Sequence, residues 1–525
     1  MLRRRLANLL SFRAQFGFIV LALALALRLA LVPTARFTND EARAWAEAVD
    51  IANGAGMPLL GQPVTGGPAR VPGPFVPWTL ALSQVGGASP ERAYALVALL
   101  GSLAVLVTWH ALRRPFGEAG ALAVGLLLAT SPWSTLYSVS TLTVSLVALP
   151  CAVAILAVVR LRERPTPGWT AVLMAAAALL PQAHLSAPAL WAALGVLVLP
   201  VLGRLPRRGV LAGVALTGLF YAPMLVHELR TGWQNAHALM HGPAGGASGP
   251  GVERLLLQTA HLLTLDTSHR ELLGDWTGLR PGDLLAAFWH GTPLRPAEPF
   301  AVSARVLSAV LALAVVGSWA ATLLRSPWRR RAPSPEPRAL PDEARGFAWA
   351  ALAGVATAAG LLALSGREAA PHYVQPLLPF LLAPVAPLVA HAMRGPRAAR
   401  AVVWGTLGLV AVGGVEASLA VSRRVDAPRG LAVQRRVAQW LVVEADTLPR
   451  PVDLDVRVDP AGPREPWPLG HVVHLVLGID VRVTSAREPP TLILARPGDP
   501  PPPGYALTLD AGAALLYRRS SENAP

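Results

Sequence analysis

Apolar residues fall in long runs that are largely free of charge, and the polar and charged residues gather between them. A membrane span needs about 20 mostly apolar residues, and the chain offers eleven such runs. They extend approximately from Phe16 to Pro33, Tyr94 to Leu112, Ala119 to Leu136, Val139 to Val159, Trp169 to Ala183, Ser186 to Leu202, Val210 to Val226, Val302 to Leu324, Phe347 to Leu364, Val374 to Ala392 and Ala401 to Val421. The fifth and sixth are short, and Pro181 and Pro188 interrupt the stretch between them, so a single tilted or re-entrant pair is the alternative there. After Val421 the pattern changes. Short apolar or alternating runs at Val452 to Val458, Thr491 to Ala495, Tyr505 to Leu509 and Ala514 to Tyr517 alternate with Pro and Gly clusters, which predicts a small α/β or β-rich unit.

Composition agrees with a membrane protein and removes other classes. Hydrophobic residues make up 53% of the 525 positions and charged residues 15%, against about 25% charged in soluble domains. That excludes a disordered chain, a coiled coil and an ordinary cytosolic enzyme. The net charge of +15 comes entirely from arginine, since the chain contains no lysine. Its arginines cluster in short loops between apolar runs, so membrane orientation accounts for the charge and no nucleic-acid partner is expected. The single cysteine, Cys151, allows no intramolecular disulfide.

Cytoplasmic loops carry the excess of arginine near span ends. With the N-terminus inside, the dense clusters at Arg3 to Arg5, Arg113 to Arg114, Arg160 to Arg164, Arg204 to Arg208, Arg325 to Arg345 and Arg394 to Arg400 all fall on one side. The first run is long and no small-x-small cleavage site follows its apolar stretch before Pro33, so it reads as a retained span and not a signal peptide. The expected organisation is a multi-span domain over residues 1–421, with outer loops 34–91 and 227–301, followed by a small extracytoplasmic α/β domain over 422–525. The tail is expected to pack on the outer face without forming the catalytic site. The Pro- and Arg-rich stretch from Ser326 to Arg345 reads as a disordered inner loop. Val252, Leu255, Leu256, Leu262 and Leu263 recur at helical spacing, as in a helix lying in the membrane interface. Arg28, near the outer end of the first span, is expected to snorkel outward and to be structural.

The first outer loop opens Phe37-Thr38-Asn39-Asp40-Glu41-Ala42-Arg43. Thr38-x-x-Glu41 matches a capping box at the start of a helix containing Trp45 and Val49. The adjacent carboxylates are equally candidates for acid–base chemistry, and a capped helix end would hold them rigidly for it. Arg367 stands alone in a short outer loop, and its planar fork suits either a phosphate or lipid headgroups. His372 and Tyr373 follow and could line the same site or form an interfacial belt. His184 lies between two prolines, where a turn residue is the simpler reading.

An acidic pair just after the first span resembles the lipid-phosphate-sugar-dependent glycosyltransferases of the GT-C superfamily, and most nearly family 39, which includes protein O-mannosyltransferases and lipid A aminoarabinose transferases. Further segments agree in order: Gly73-Pro74-Phe75-Val76-Pro77-Trp78, Ser131-Pro132-Trp133, Gln182-Ala183-His184-Leu185-Ser186, Pro223 to Leu229 followed by Asn235, and His372 to Pro379. The resemblance spans roughly residues 16–395. It implies a mainly α, polytopic GT-C-like fold of about eleven spans with the small C-terminal domain, embedded in the cytoplasmic (inner) membrane. It further implies an enzyme that takes a sugar from a polyprenyl phosphate outside the cytoplasm and passes it to a hydroxyl of a lipid, glycan or protein. Asp40 then matches the catalytic residue with Glu41 beside it, and Arg367, His372, Tyr373 and His184 become substrate-binding residues. No metal and no cofactor are implied. Relatives often carry an arginine or an acidic residue just after the third span, where this chain reads Tyr137-Ser138-Val139-Ser140-Thr141-Leu142-Thr143.

Two other classes fit a polytopic chain: a transporter or flippase of lipid-linked substrates, and a non-catalytic scaffold presenting the tail. A transporter usually places ionisable groups near the bilayer midplane and often shows inverted repeats, and neither is visible in the sequence. The orientation has a direct test: a reporter fused after Pro525 is expected to be active only outside the cytoplasm, and cytoplasmic activity would overturn the assigned topology.

Overall fold

The computed structural model describes residues 12–64, 68–241, 255, 259, 262, 310, 311, 313–320, 340–365, 374–424, 430–444, 447, 448, 452–456, 481–483, 490–495, 500–511 and 514–520. These residues are mainly helical. The helices are α1 (Phe12–Leu31), α2 (Asn39–Ala52), α3 (Phe75–Ala81), α4 (Pro90–Thr130), α5 (Pro132–Tyr137), α6 (Ala148–Glu163), α7 (Pro167–Ala183), α8 (Ala187–Val198), α9 (Arg207–Thr231), α10 (Gln234–His241), α11 (Leu340–Ser365), α12 (Leu378–Leu382), α13 (Val385–Ala392), α14 (Arg397–Arg424) and α15 (Leu431–Val443). Every apolar run of the sequence overlaps a helical stretch, the run from Val302 to Leu324 only through residues 310, 311 and 313–320. Among the described residues, eight helical segments are long and apolar enough to cross a membrane. The protein is an integral membrane protein.

One of those segments is longer than a bilayer is thick. α4 has 41 residues, but Gly117 interrupts it with φ 74° and ψ 176°, and Pro115 lies just before. The left-handed φ suits glycine, which has no Cβ to clash. The chain doubles back there: a Cβ on Gly125 would lie 3.2 Å from Trp109 Cβ, and Arg113 Nε meets Glu118 at 2.7 Å across the turn. The short pair predicted from Trp169 to Leu202 likewise becomes two helices, α7 and α8, joined at residues 184–186, and Trp191 Nε1 donates to the Ala177 carbonyl at 2.9 Å. α9 leaves Leu211, Val214 and Leu219 more than half exposed, as suits side chains facing lipid.

Small residues let the spans approach closely, since in a membrane packing takes over from the hydrophobic effect as the force between helices. A Cβ on Gly120 would come within 2.6 Å of the Ala386 carbonyl oxygen, binding α4 to α13.

Arg28 is structural, as expected, but its direction is not the expected one. Instead of snorkelling to the surface, it is fully buried. Nη1 donates to the carbonyls of Ala24 and Ala129, both at 3.1 Å, while Nη2 donates to Leu128 at 3.3 Å and to Ser134 Oγ at 2.9 Å. The carbonyls ending α4 lack intrahelical donors and carry the negative end of the helix dipole. They offer the guanidinium a better partner than water would across the span.

The tail forms one sheet of β1 (Val452–Val456), β2 (Val481–Val483), β3 (Leu492–Ala495), β4 (Tyr505–Asp510) and β5 (Leu515–Arg519). The order is β2-β1-β3-β5-β4, with β1 parallel to both neighbours and β5 antiparallel to β3 and β4. Leu454, Leu492 and Leu516 share one buried core with α15 and the spans. Of the expected interfacial helix, Leu255 and Leu262 are buried in that core and the rest lies outside the described residues. The inner loop read as disordered lies outside them up to residue 339, and α11 already begins at Leu340.

Gly120→Val should force α4 and α13 apart and cost about 1–3 kcal/mol, as overpacking of tight cores does. Thermal unfolding of the detergent-purified protein measures it. An unchanged midpoint would mean that the two helices do not meet at this position.

Candidate active site

The acidic helix starts where the extended backbone of Thr38 (φ −95°, ψ 173°) turns into α2. Glu41, in the first turn, reaches back as the capping-box spacing predicts. Its Oε2 accepts the Thr38 backbone N–H at 2.8 Å and the Thr38 hydroxyl at 2.9 Å. Its Oε1 accepts the Ser140 hydroxyl at 2.6 Å, and the Thr141 hydroxyl donates to the Glu41 carbonyl at 3.4 Å. Thus the hydroxyl-rich segment after the third apolar run, which the sequence marked as a departure, supplies donors to the carboxylate.

The two neighbouring acids have opposite environments. Glu41 is 2% exposed. The Asp40 side chain is 60% exposed, with Arg43 beside it at 3.9 Å. Successive helical residues point about 100° apart, so fixing one carboxylate inward turns the other outward. Beneath them stands an aromatic wall: Phe37 lies edge-on to Trp45 and tilted against Tyr94, both with ring centroids 6.3 Å apart. Tyr94 Oη donates to the Arg36 carbonyl at 2.6 Å, and Trp45 Nε1 donates to Gln84 Oε1 at 3.0 Å.

Two of the segments quoted for the family resemblance meet at Gly73 and Gln182, and Asn235 is linked to this helix through Arg70. Arg70 Nη2 pairs with Glu47 of α2 at 2.8 Å. The Asn235 side chain accepts the Arg70 backbone N–H at 2.7 Å and donates to its carbonyl at 3.3 Å. Gly73 (φ +89°) packs on the Gln182 side chain, where any Cβ would collide, and Gln182 Nε2 donates to the Phe220 carbonyl at 2.9 Å. His184 Nδ1 accepts the Ser186 backbone N–H at 3.1 Å and lies 2.9 Å from Ser186 Oγ, so it serves the turn between α7 and α8. Arg367, His372 and Tyr373 lie outside the described residues. A cavity of about 30 Å³ between spans is lined by Gly101, Thr108, Ser134, Ser138, Cys151 and Gln375. It has room for roughly one or two waters and none for a sugar.

No protein-family model and no curated protein sequence matches the chain. Among solved structures, the chain is similar to ArnT from Cupriavidus metallidurans in the apo state, at 13% identity and a TM-score of 0.58, over 97% of this chain and 98% of that one. It is also similar to the same protein bound to undecaprenyl phosphate, at 13% identity and a TM-score of 0.52, over 96% and 98% of the two chains. The chain has the ArnT fold. The GT-C-like architecture expected from the acidic pair and the order of motifs is therefore present from the first span to the sheet of the tail.

Burial raises the Glu41 pKa, against hydrogen bonds from Ser140 and Thr38 and the charge of Arg36, which lower it. With the folded value above the unfolded one, this group's contribution to stability is full below the unfolded pKa of about 4.3. It is lost as pH rises through the folded value. Glu41→Gln keeps an acceptor for Thr38 and cannot ionise. From about pH 4 to about pH 8, the wild-type unfolding midpoint should therefore fall relative to that of the variant, and a pH-independent difference would refute the raised pKa.

Proposed function

We propose that this protein is a membrane glycosyltransferase that takes a sugar from a polyprenyl-phosphate donor and passes it to a hydroxyl acceptor on the extracytoplasmic face. The observation that carries this reading is the split environment of the acidic pair: Glu41 is locked as an anchor and Asp40 is left exposed on a rigid helix end. Two supports stand beside it, the ArnT fold and the binding of undecaprenyl phosphate by ArnT itself.

In the proposed reaction the acceptor hydroxyl loses its proton to the Asp40 carboxylate as its oxygen bonds to the anomeric carbon. The bond from that carbon to the phosphate oxygen breaks, and the electron pair leaves with the polyprenyl phosphate. A base within reach of the proton speeds such a step, and fixed positive charge stabilises the departing phosphate. Arg367 is assigned to the phosphate, because guanidinium forks bind phosphate oxygens with directed charge-assisted bonds. His372, Tyr373 and His184 are assigned to the surroundings of the donor. The hydroxyls of Ser140 and Thr141 take the place of any second acidic group after the third span and act through Glu41.

Mass analysis of envelope glycolipids and glycans, from cells with and without the chain, tests the activity. No altered species would sink it. Asp40→Asn preserves shape and removes basicity, so turnover should fall by about 10²–10⁴-fold while binding of undecaprenyl phosphate, followed by thermal shift, stays the same. Arg367→Ala should weaken that binding as well as turnover, since the phosphate charge exists before and during the transition state. Full activity in purified Asp40→Asn protein would remove Asp40 from the mechanism.

A further inference from the structure

The tail returns to the segment that leads into the acidic helix. Gly430 and Arg36 form an isolated antiparallel bridge, and the Leu431 backbone N–H donates to the Ala35 carbonyl at 2.9 Å. One helical turn into α15, Gln434 is 1% exposed and its Nε2 donates to the Phe37 carbonyl at 3.0 Å. Phe37 is fully buried and is followed directly by Thr38, the cap residue that Glu41 holds from the other side. Residues 35–37 are thereby fixed as the segment feeding the start of α2. α15 is itself tied down, with Arg435 at 3.5 Å from Glu91 and Arg436 Nη1 donating to the Ala511 carbonyl at 3.3 Å.

We infer that residues Gly430 to Gln434 are a strap that sets the place of the acidic corner, and that Gln434 is a positioning residue acting through Phe37 and Thr38. Its catalytic consequence rests on the role proposed for Asp40, whereas the strap rests on these contacts alone. Losing the Gln434 donor leaves a buried carbonyl without its partner, and a buried acceptor is costly to abandon. Displacing a catalytic group by about 1 Å can slow a reaction by about 10²-fold.

The test uses the full chain in detergent, with hydrogen exchange read by mass spectrometry. Gln434→Ala should speed exchange of the Thr38 to Ala42 amides by about tenfold or more, leave strands β3 and β5 protected, and lower glycolipid output. A disulfide should reverse the effect. Arg36 and Gly430 are non-hydrogen-bonded partners, whose Cα atoms lie about 4.5 Å apart in such pairs, within reach of a disulfide. In a Cys151→Ala background, Arg36→Cys with Gly430→Cys should restore slow exchange and output to Gln434→Ala under oxidation, and reductant should abolish the rescue. Unchanged exchange in Gln434→Ala, or exchange still fast with the disulfide closed, overturns the strap. Asp40→Asn run in parallel separates the two readings. Output lost there with exchange unchanged in Gln434→Ala sinks the strap and spares the proposed function; output retained there sinks the function, and exchange alone then decides the strap.

Discussion

A carboxyl group shut away from water must have its oxygens engaged, because a polar atom buried without a partner costs free energy. Glu41 meets this condition with donors from two distant parts of the chain, Thr38 at its own helix start and Ser140 a hundred residues on. Each of these hydrogen bonds is worth about 0.5–1.5 kcal/mol net, and leaving a buried oxygen unpaired would cost about 1–3 kcal/mol. Exposed ion pairs such as Asp40 with Arg43 are worth about 0–1 kcal/mol. The inward acid therefore decides the geometry, and the outward one inherits its direction. The Ser140 contact adds to the Thr141 hydroxyl and to Trp45 in registering the capped helix against the spans.

Arg28 repeats the logic with opposite sign. Among the described residues, its guanidinium is held by the carbonyl end of a neighbouring helix and a serine. Both buried groups thus join segments about a hundred residues apart. Each is specific because a one-residue slip would leave several polar atoms stranded at once.

What the sequence made legible was whatever has a short range or a strong period. The apolar runs recur at span length, and all of them overlap helix. Thr38 and Glu41 are three residues apart, so their mutual capping could be read directly. Four of the five tail strands announced themselves by apolar alternation. β2, only Val481-Arg482-Val483, is too short to show a period. Contacts made in space were hidden. Arg28 looked like a residue near a span end, and nothing local pointed to Leu128, Ala129 or Ser134. Ser140 and Thr141 read as a loss of acidic chemistry, although a run of hydroxyls is also a run of donors. Gln434 carried no signal at all, since its partner lies 397 residues earlier.

The turn at Gly117 bears on how the chain enters the bilayer. Two helices joined by so few residues are neighbours as soon as the second is made, and the face on which they meet, Trp109 against Gly125, needs no other span to complete it. Pro90–Thr130 is therefore a helical hairpin with its own packing surface, and its turn carries Arg113, Arg114 and Glu118. The glycine that lets the chain fold back thus also makes a pair of spans that can enter the bilayer already packed.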